Sequence, residues 1–144
     1  MRVDQLVYAR WIVPVEPANE VLDNHAIAIS EGKIVDLIPA ADAERKFTAA
    51  ETRHLVSHAL LPGFINAHTH ATMTLFRGLA NDLHLMDWLN HYIWPAENRW
   101  VDTEFVEDGT RHAIAEMLRN GTTCFNDMYF FPGHTAEIAV ACGI

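Results

Sequence analysis

The sequence predicts an α/β fold in which a strand-rich stretch precedes strand–helix alternation. Three observations carry this. Up to about residue 61 the apolar residues come in short β-favouring runs separated by turn signals. From about residue 62 the pattern becomes strand, helix, strand, helix, the order that builds a parallel sheet or barrel. Half of the residues (50%) are hydrophobic and 20% are charged, which supports a packed core and excludes disorder and coiled coil.

The elements follow in order. Leu6-Val7-Tyr8 and Trp11-Ile12-Val13 predict two short strands, the second closed by Pro14 and Pro17. Ala26-Ile27-Ala28-Ile29 and Ile34-Val35-Asp36-Leu37-Ile38 flank the tip Ser30-Glu31-Gly32-Lys33 and predict a hairpin, with Gly32 taking a left-handed turn position. Asp42 to Phe47 predicts one or two helical turns and Thr52 to Val56 a further strand. So few strands form a small sheet that needs a partner surface.

Beyond Pro62-Gly63, Phe64 to His68 predicts a strand. Leu85, Leu89, Tyr92 and Ile93 recur at helical spacing and predict a helix over 83–94, ended by Pro95. Asp102 predicts the N-cap of a helix that carries Val106, Ala113, Ile114, Met117 and Leu118 on one face, with Asn120-Gly121 closing it. Thr122 to Asn126 predicts a second strand, and Pro132-Gly133 leads into a last helix over Thr135 to Cys142.

Charge and targeting signals exclude several classes. Lys and Arg number 10 against 19 Asp and Glu, a net charge of -9, which repels phosphates and anionic membranes. No nucleic-acid or membrane partner is expected. Met1-Arg2-Val3-Asp4 puts an acid where a signal peptide starts its apolar stretch, so the expected location is cytoplasmic. Cys124 and Cys142 cannot build a disulfide framework and are expected as reduced, buried thiols.

The chemistry-bearing feature is His68-Thr69-His70. Residues two apart on a strand face the same way, so both imidazoles can converge on one divalent metal, with zinc the favoured ion. A catalytic zinc takes about three protein ligands and keeps a position for water, so two histidines are an incomplete set. In a chain with nine histidines the triplet alone is weak, but it lies at the C-terminal end of an apolar strand, where α/β barrels carry their active sites.

Leu61-Pro62-Gly63-Phe64-Ile65-Asn66-Ala67-His68-Thr69-His70 resembles the first barrel strand of the amidohydrolase superfamily. Met73 to Leu83, Leu85-Met86-Asp87-Trp88-Leu89, Ile93-Trp94-Pro95-Ala96-Glu97, Gly121-Thr122-Thr123 and Asp127-Met128-Tyr129-Phe130-Phe131 are similar to its 5-methylthioadenosine/S-adenosylhomocysteine deaminase group. The likeness is dense from about residue 60 to 132. It implies that residues 1–61 are half of a small β-sandwich and residues 62–144 the first two strand–helix units of an incomplete, metal-dependent TIM barrel. His68 and His70 match the first two metal ligands. Trp88 matches a tryptophan bordering the substrate pocket, and Glu97 an acid that accepts hydrogen bonds from ribose hydroxyls.

By pattern alone Trp88 is a core residue and Glu97 a solvated acid at a helix start; the resemblance makes both substrate-binding. Asp127, His84, His91 and the remaining histidines are expected to be structural. The activity implied is hydrolytic deamination of an adenosine-type nucleoside to its inosine analogue and ammonia, with one divalent metal and a small-molecule nucleoside as partners. A homo-oligomer is compatible with this. No residue is assigned as catalytic, because the group's proton-donating acid and its later metal ligands come from barrel strands beyond the second. At 144 residues against the roughly 250 of a closed barrel, the chain is expected to be an N-terminal segment, inactive alone. Two alternatives are a relative acting on a free base or triazine ring, and a non-enzymatic module binding metal through His68, His70, His84 and His91.

Overall fold

Eleven consecutive residues, Arg2–Ile12, form strand β1 in the computed structural model, which describes all 144 residues. Where two short runs are expected there is one strand. Its pairing with β2 runs unbroken past Arg10, while against β4 (Thr48–Leu60) the register shifts between Ala9 and Trp11, where β4 carries two extra residues between Leu55 and Ala59 as a bulge before pairing resumes. β2 (Leu22–Ser30) and β3 (Lys33–Pro39) form the expected hairpin, giving a sheet of order β3-β2-β1-β4 in which only β1 and β4 are parallel.

The hairpin turn is two residues long, and both are left-handed: Glu31 (φ 52°) and Gly32 (φ 72°). Such a turn matches the twist of the flanking strands. Glu31 tolerates the conformation with its backbone N–H donating to Asp4 Oδ2 at 2.6 Å. Helix α1 (Ala40–Lys46) covers one sheet face, where Ala43 and Phe47 are buried with Val3, Leu6, Ala26, Ala28 and Ile38. Val7, Ala9, Ile12 and Ile27 form a second cluster. These elements make a first unit, Met1–Pro62; the second is Gly63–Ile144.

In the second unit β5 (Phe64–Thr69) pairs in parallel with β6 (Thr122–Asp127). Between them run a 3-10 helix (Ala71–Phe76), α2 (Leu85–Trp88), a π-helical turn (Leu89–Ile93), α3 (Trp94–Trp100) and α4 (Thr103–Arg119); α5 (Pro132–Cys142) follows β6. α4 starts as its sequence dictates, with Asp102 Oδ1 accepting from the Phe105 N–H at 2.9 Å. Asn120 caps its end, and Gly121 takes the left-handed position (φ 82°) that lets the chain turn into β6.

The core of this unit lies among helices: Ala71, Thr72, Val106, Thr110, Ala113, Ile114, Thr135 and Ile138 are buried. Neither β5 nor β6 contains a buried residue, and Phe64 and Ile65 are exposed. Parallel strands are ordinarily covered on both faces. For the same reason Cys124, on β6, is exposed, and so is Cys142 at the end of α5. The expectation of buried thiols is corrected, because no layer of this chain covers those positions.

Two helical expectations are corrected as well. Leu118 is exposed, because twelve residues at 3.6 per turn carry it about 120° around α4 from Val106. Pro95 does not end the helix that precedes it. A proline there cannot donate to the carbonyl four residues back and clashes with it. The backbone responds with the π turn Leu89–Ile93 and continues as α3 to Trp100. No helix is long and apolar enough to cross a membrane.

Gly109 shows how closely α4 meets the segment after β5. A Cβ added there would lie 2.7 Å from the Thr72 carbonyl oxygen and 2.9 Å from its Cα. Gly109→Ala gains about 1 kcal/mol of helix propensity, against about 1–3 kcal/mol or more for forcing an extra carbon against backbone. Net destabilisation is the expected outcome, measurable as a lower urea midpoint at unchanged m-value.

Arg77 and Glu116 tie the same segment to α4 from outside, through two parallel hydrogen bonds of 2.8 Å. Those bonds hold the Glu116 carboxyl below its ordinary value, overcoming partial desolvation, with the charges of Arg77 and His112 helping. A carboxyl depressed in the folded state stabilises above its unfolded pKa of about 4.3 and loses that contribution as pH falls through the folded value. Glu116→Gln is therefore expected to lower the urea midpoint at pH 7, with the difference from the parent protein shrinking as the pH is lowered through the folded value of the Glu116 carboxyl.

Candidate active site

β5 and β6 end together. Thr69 pairs with Asp127, and the Met128 N–H donates to the Thr69 carbonyl at 2.9 Å. Their first residues beyond the pairing, residues 70 and 128, therefore sit side by side although 58 positions separate them. His68 is on β5, and His70 is the first residue past it, capping the 3-10 helix. Their rings meet edge to face with centroids 5.3 Å apart, so the structure brings the two predicted ligands together.

His70 Nδ1 lies 2.8 Å from the Met128 carbonyl oxygen. A carbonyl only accepts, so Nδ1 carries a proton, and in the neutral ring the lone pair is on Nε2. Metal-ligating histidines are oriented by such a bond, which fixes the tautomer and raises the basicity of the coordinating nitrogen. The His70 donor set therefore fits a divalent metal, and His68 stands next to it. Both rings are on exposed residues. No three His, Cys, Asp or Glu side chains gather anywhere in the chain. His84 precedes α2 and His91 lies in the π turn facing Asp87, so neither joins His68 and His70 in a four-histidine centre.

The backbone just past His70 is held firmly. The Ala71 N–H donates to Asp127 Oδ1 at 2.7 Å. Asp127 Oδ2 is buried without a partner, so this side chain has a free acceptor beside the end of β5, which carries both histidines. Thr72 is fully buried, with Oγ1 3.4 Å from the Val106 carbonyl and 3.3 Å from Thr110 Oγ1. α4 thus anchors the residues immediately after the histidine.

The other two predicted residues depend on the π turn. In a plain α-helix Trp88 and Glu97, nine residues apart, would lie about 180° apart around the axis. A π turn holds roughly one extra residue, so nine behave as about eight and the separation falls to about 80°. Both side chains then border one cavity of about 380 Å³, with His70, Met73, Met128 and Tyr129 among its other walls. Its volume suits a small molecule and its lining is mainly apolar. Trp88 and Glu97 are each half-buried. Three of the four predicted residues therefore share the cavity; His68 stands outside its lining, beside His70.

Tyr129 is the residue sequence reasoning missed. Its hydroxyl donates to Glu97 Oε1 at 2.8 Å, and its ring centroid lies 6.0 Å from that of His70. Burial pushes the hydroxyl far above the ordinary tyrosine range, reinforced by the bond to Glu97 and by the charges of Glu97 and Asp127, so it remains a donor. The available signal was a polar-tipped aromatic just past a strand end that lies next to a histidine strand.

The amidohydrolase family profile matches residues 59–142. The 5-methylthioadenosine/S-adenosylhomocysteine deaminase of Saccharophagus degradans is 49% identical over 141 residues, 98% of this chain and 32% of that protein. A 5'-deoxyadenosine deaminase of Methanosarcina barkeri is 41% identical over 141 residues, again 98% of this chain and 32% of the relative. Among solved structures, an adenosine deaminase from Xanthomonas campestris with bound zinc superimposes with a TM-score of 0.94 at 50% identity, covering 97% of this chain and 32% of that one. The zinc-complexed atrazine chlorohydrolase of Arthrobacter aurescens TC1 shares the fold, with a TM-score of 0.85 at 21% identity over 97% of this chain and 34% of its own. The chain thus spans about a third of the length of the proteins it matches. With the family matched over more than half of its residues, this chain belongs to the amidohydrolase family.

Proposed function

We propose that the chain is the N-terminal third of a metal-dependent deaminase acting on an adenosine-type nucleoside, 5-methylthioadenosine or S-adenosylhomocysteine, and yielding the inosine analogue and ammonia. The observation that carries this is the single cavity that joins His70, Trp88 and Glu97. The names of relatives at 41–49% identity support the same substrate class. In this reading residues 1–61 are half of a β-sandwich and residues 62–144 the first two strand–helix units of a TIM barrel. The acidic composition supports a cytoplasmic location without nucleic-acid or membrane partners.

His68 and His70 would hold one divalent metal, zinc by the precedent of the related structures. The chemistry such an ion supplies is activation of water, whose pKa it lowers to about 7. His70 would contribute Nε2, the nitrogen that its Nδ1–H bond to the Met128 carbonyl leaves for a metal in the neutral ring. The face of Trp88 packs against the purine or the thioether tail and excludes water from it. Glu97 accepts hydrogen bonds from the ribose hydroxyls and thereby sets the purine's position. The resemblance to the deaminase group implies that the acid protonating the ring nitrogen comes from barrel strands beyond the second, and no residue of this chain is given a catalytic role.

Two tests use the full-length protein. Glu97→Gln replaces charge-assisted hydrogen bonds by neutral ones, worth about 1.5–3 kcal/mol against about 0.5–1.5. A fall of about tenfold or more in kcat/KM for 5-methylthioadenosine is expected, while the inhibition constant of free adenine changes less than about twofold. Equal effects on both would remove the case for a nucleoside. His70→Ala is expected to lose the metal, read directly as metal per protein after gel filtration, with the unfolding midpoint showing whether the fold survives; full retention of the ion would overturn the assignment.

A further inference from the structure

Tyr129 touches both halves of the proposed site. Its hydroxyl donates to Glu97 Oε1 at 2.8 Å, its ring lies 6.0 Å from the His70 ring, and the preceding residue, Met128, accepts the His70 Nδ1–H. Glu97 has no ion-pair partner, and the Tyr129 hydroxyl is the one hydrogen bond its carboxylate receives.

A carboxylate on a mainly apolar wall needs donors, since burying it without them is costly. An ionised carboxylate has about four acceptor sites. Tyr129 fills one on Oε1, and two vicinal hydroxyls of a ribose would fill two more. An arginine or lysine in the place of Tyr129 would neutralise the charge and compete with those hydroxyls for both oxygens. A phenol holds the side chain in one rotamer and leaves the charge for the substrate.

We propose that Tyr129 is the positioning residue for Glu97 and a determinant of specificity for substrates with free ribose hydroxyls. This rests on Glu97 being the ribose-binding acid. The Tyr129 hydroxyl acts through Glu97, so its removal weakens binding and not the chemical step. The coupling also runs through one dipeptide, Met128-Tyr129, which orients a metal ligand through its carbonyl and the substrate acid through its side chain.

The experiment compares Tyr129→Phe, Glu97→Gln and the double variant in the full-length protein, with adenosine and 2',3'-dideoxyadenosine as probes. For Tyr129→Phe, KM for adenosine is expected to rise about five- to tenfold with kcat within about twofold. KM for the dideoxy compound, the metal content and the unfolding midpoint should stay at parental values. The double variant should be no worse than Glu97→Gln alone, as for two residues that act as one unit. An unchanged KM for adenosine in Tyr129→Phe, while Glu97→Gln raises it, overturns the role of Tyr129 and leaves the ribose contact standing. A Glu97→Gln variant with parental KM for both probes overturns the ribose contact and this inference with it. A Tyr129→Phe penalty that is equal on both probes, additive with Glu97→Gln, or accompanied by loss of metal would assign Tyr129 a merely structural role and overturn the inference.

Discussion

The site depends on two parallel strands ending at the same level. Pairing of Thr69 with Asp127 places the first unpaired residues of β5 and β6 in register, and the His70 Nδ1–H bond to the Met128 carbonyl closes the gap between them. Parallel strands cannot be joined by a tight turn; they require a crossover. Here the crossover carries the 3-10 helix, the π-interrupted helix and α4, so the segment that connects the strands also supplies one wall of the cavity.

α4 is the brace for this arrangement. Its Gly109 allows backbone contact with Thr72, its Val106 carbonyl and Thr110 hydroxyl face the Thr72 hydroxyl, and its Glu116 is bound by Arg77. The residues directly after His70 are therefore buried, although His70 itself is exposed. The metal-ligand role proposed for His70 needs an open face and a fixed backbone, and the two demands are met by different neighbours. β5 and β6, by contrast, expose Phe64, Ile65 and Cys124. A chain that spans about a third of its relatives leaves such strands uncovered by its own residues.

Much of this was legible in the residues. The hairpin around Gly32, the Asp102 cap, the Asn120-Gly121 stop and the strand–helix alternation are local choices made by short-range sterics and hydrogen bonds, and the structure repeats them. His68 and His70 were legible because a spacing of two aligns side chains on a strand. Pro95 was misleading: as a local rule it ends a helix, but the surrounding packing carries the helix through by widening one turn. Buried cysteines were expected from average behaviour, which assumes a complete set of covering layers.

Sequence alone determined the element order, the metal-type histidine pair and, through its likeness to known deaminases, Trp88 and Glu97 as candidates. Each of these is a property of residues a few positions apart or of a motif as a string. Tertiary structure alone decided that Trp88 and Glu97 face one cavity, that His70 presents Nε2, and that the Tyr129 hydroxyl meets Glu97. The first follows from the phase shift of a π turn. The others are contacts across 58 and 32 positions, which exist only once β5 and β6 have paired and their ends meet.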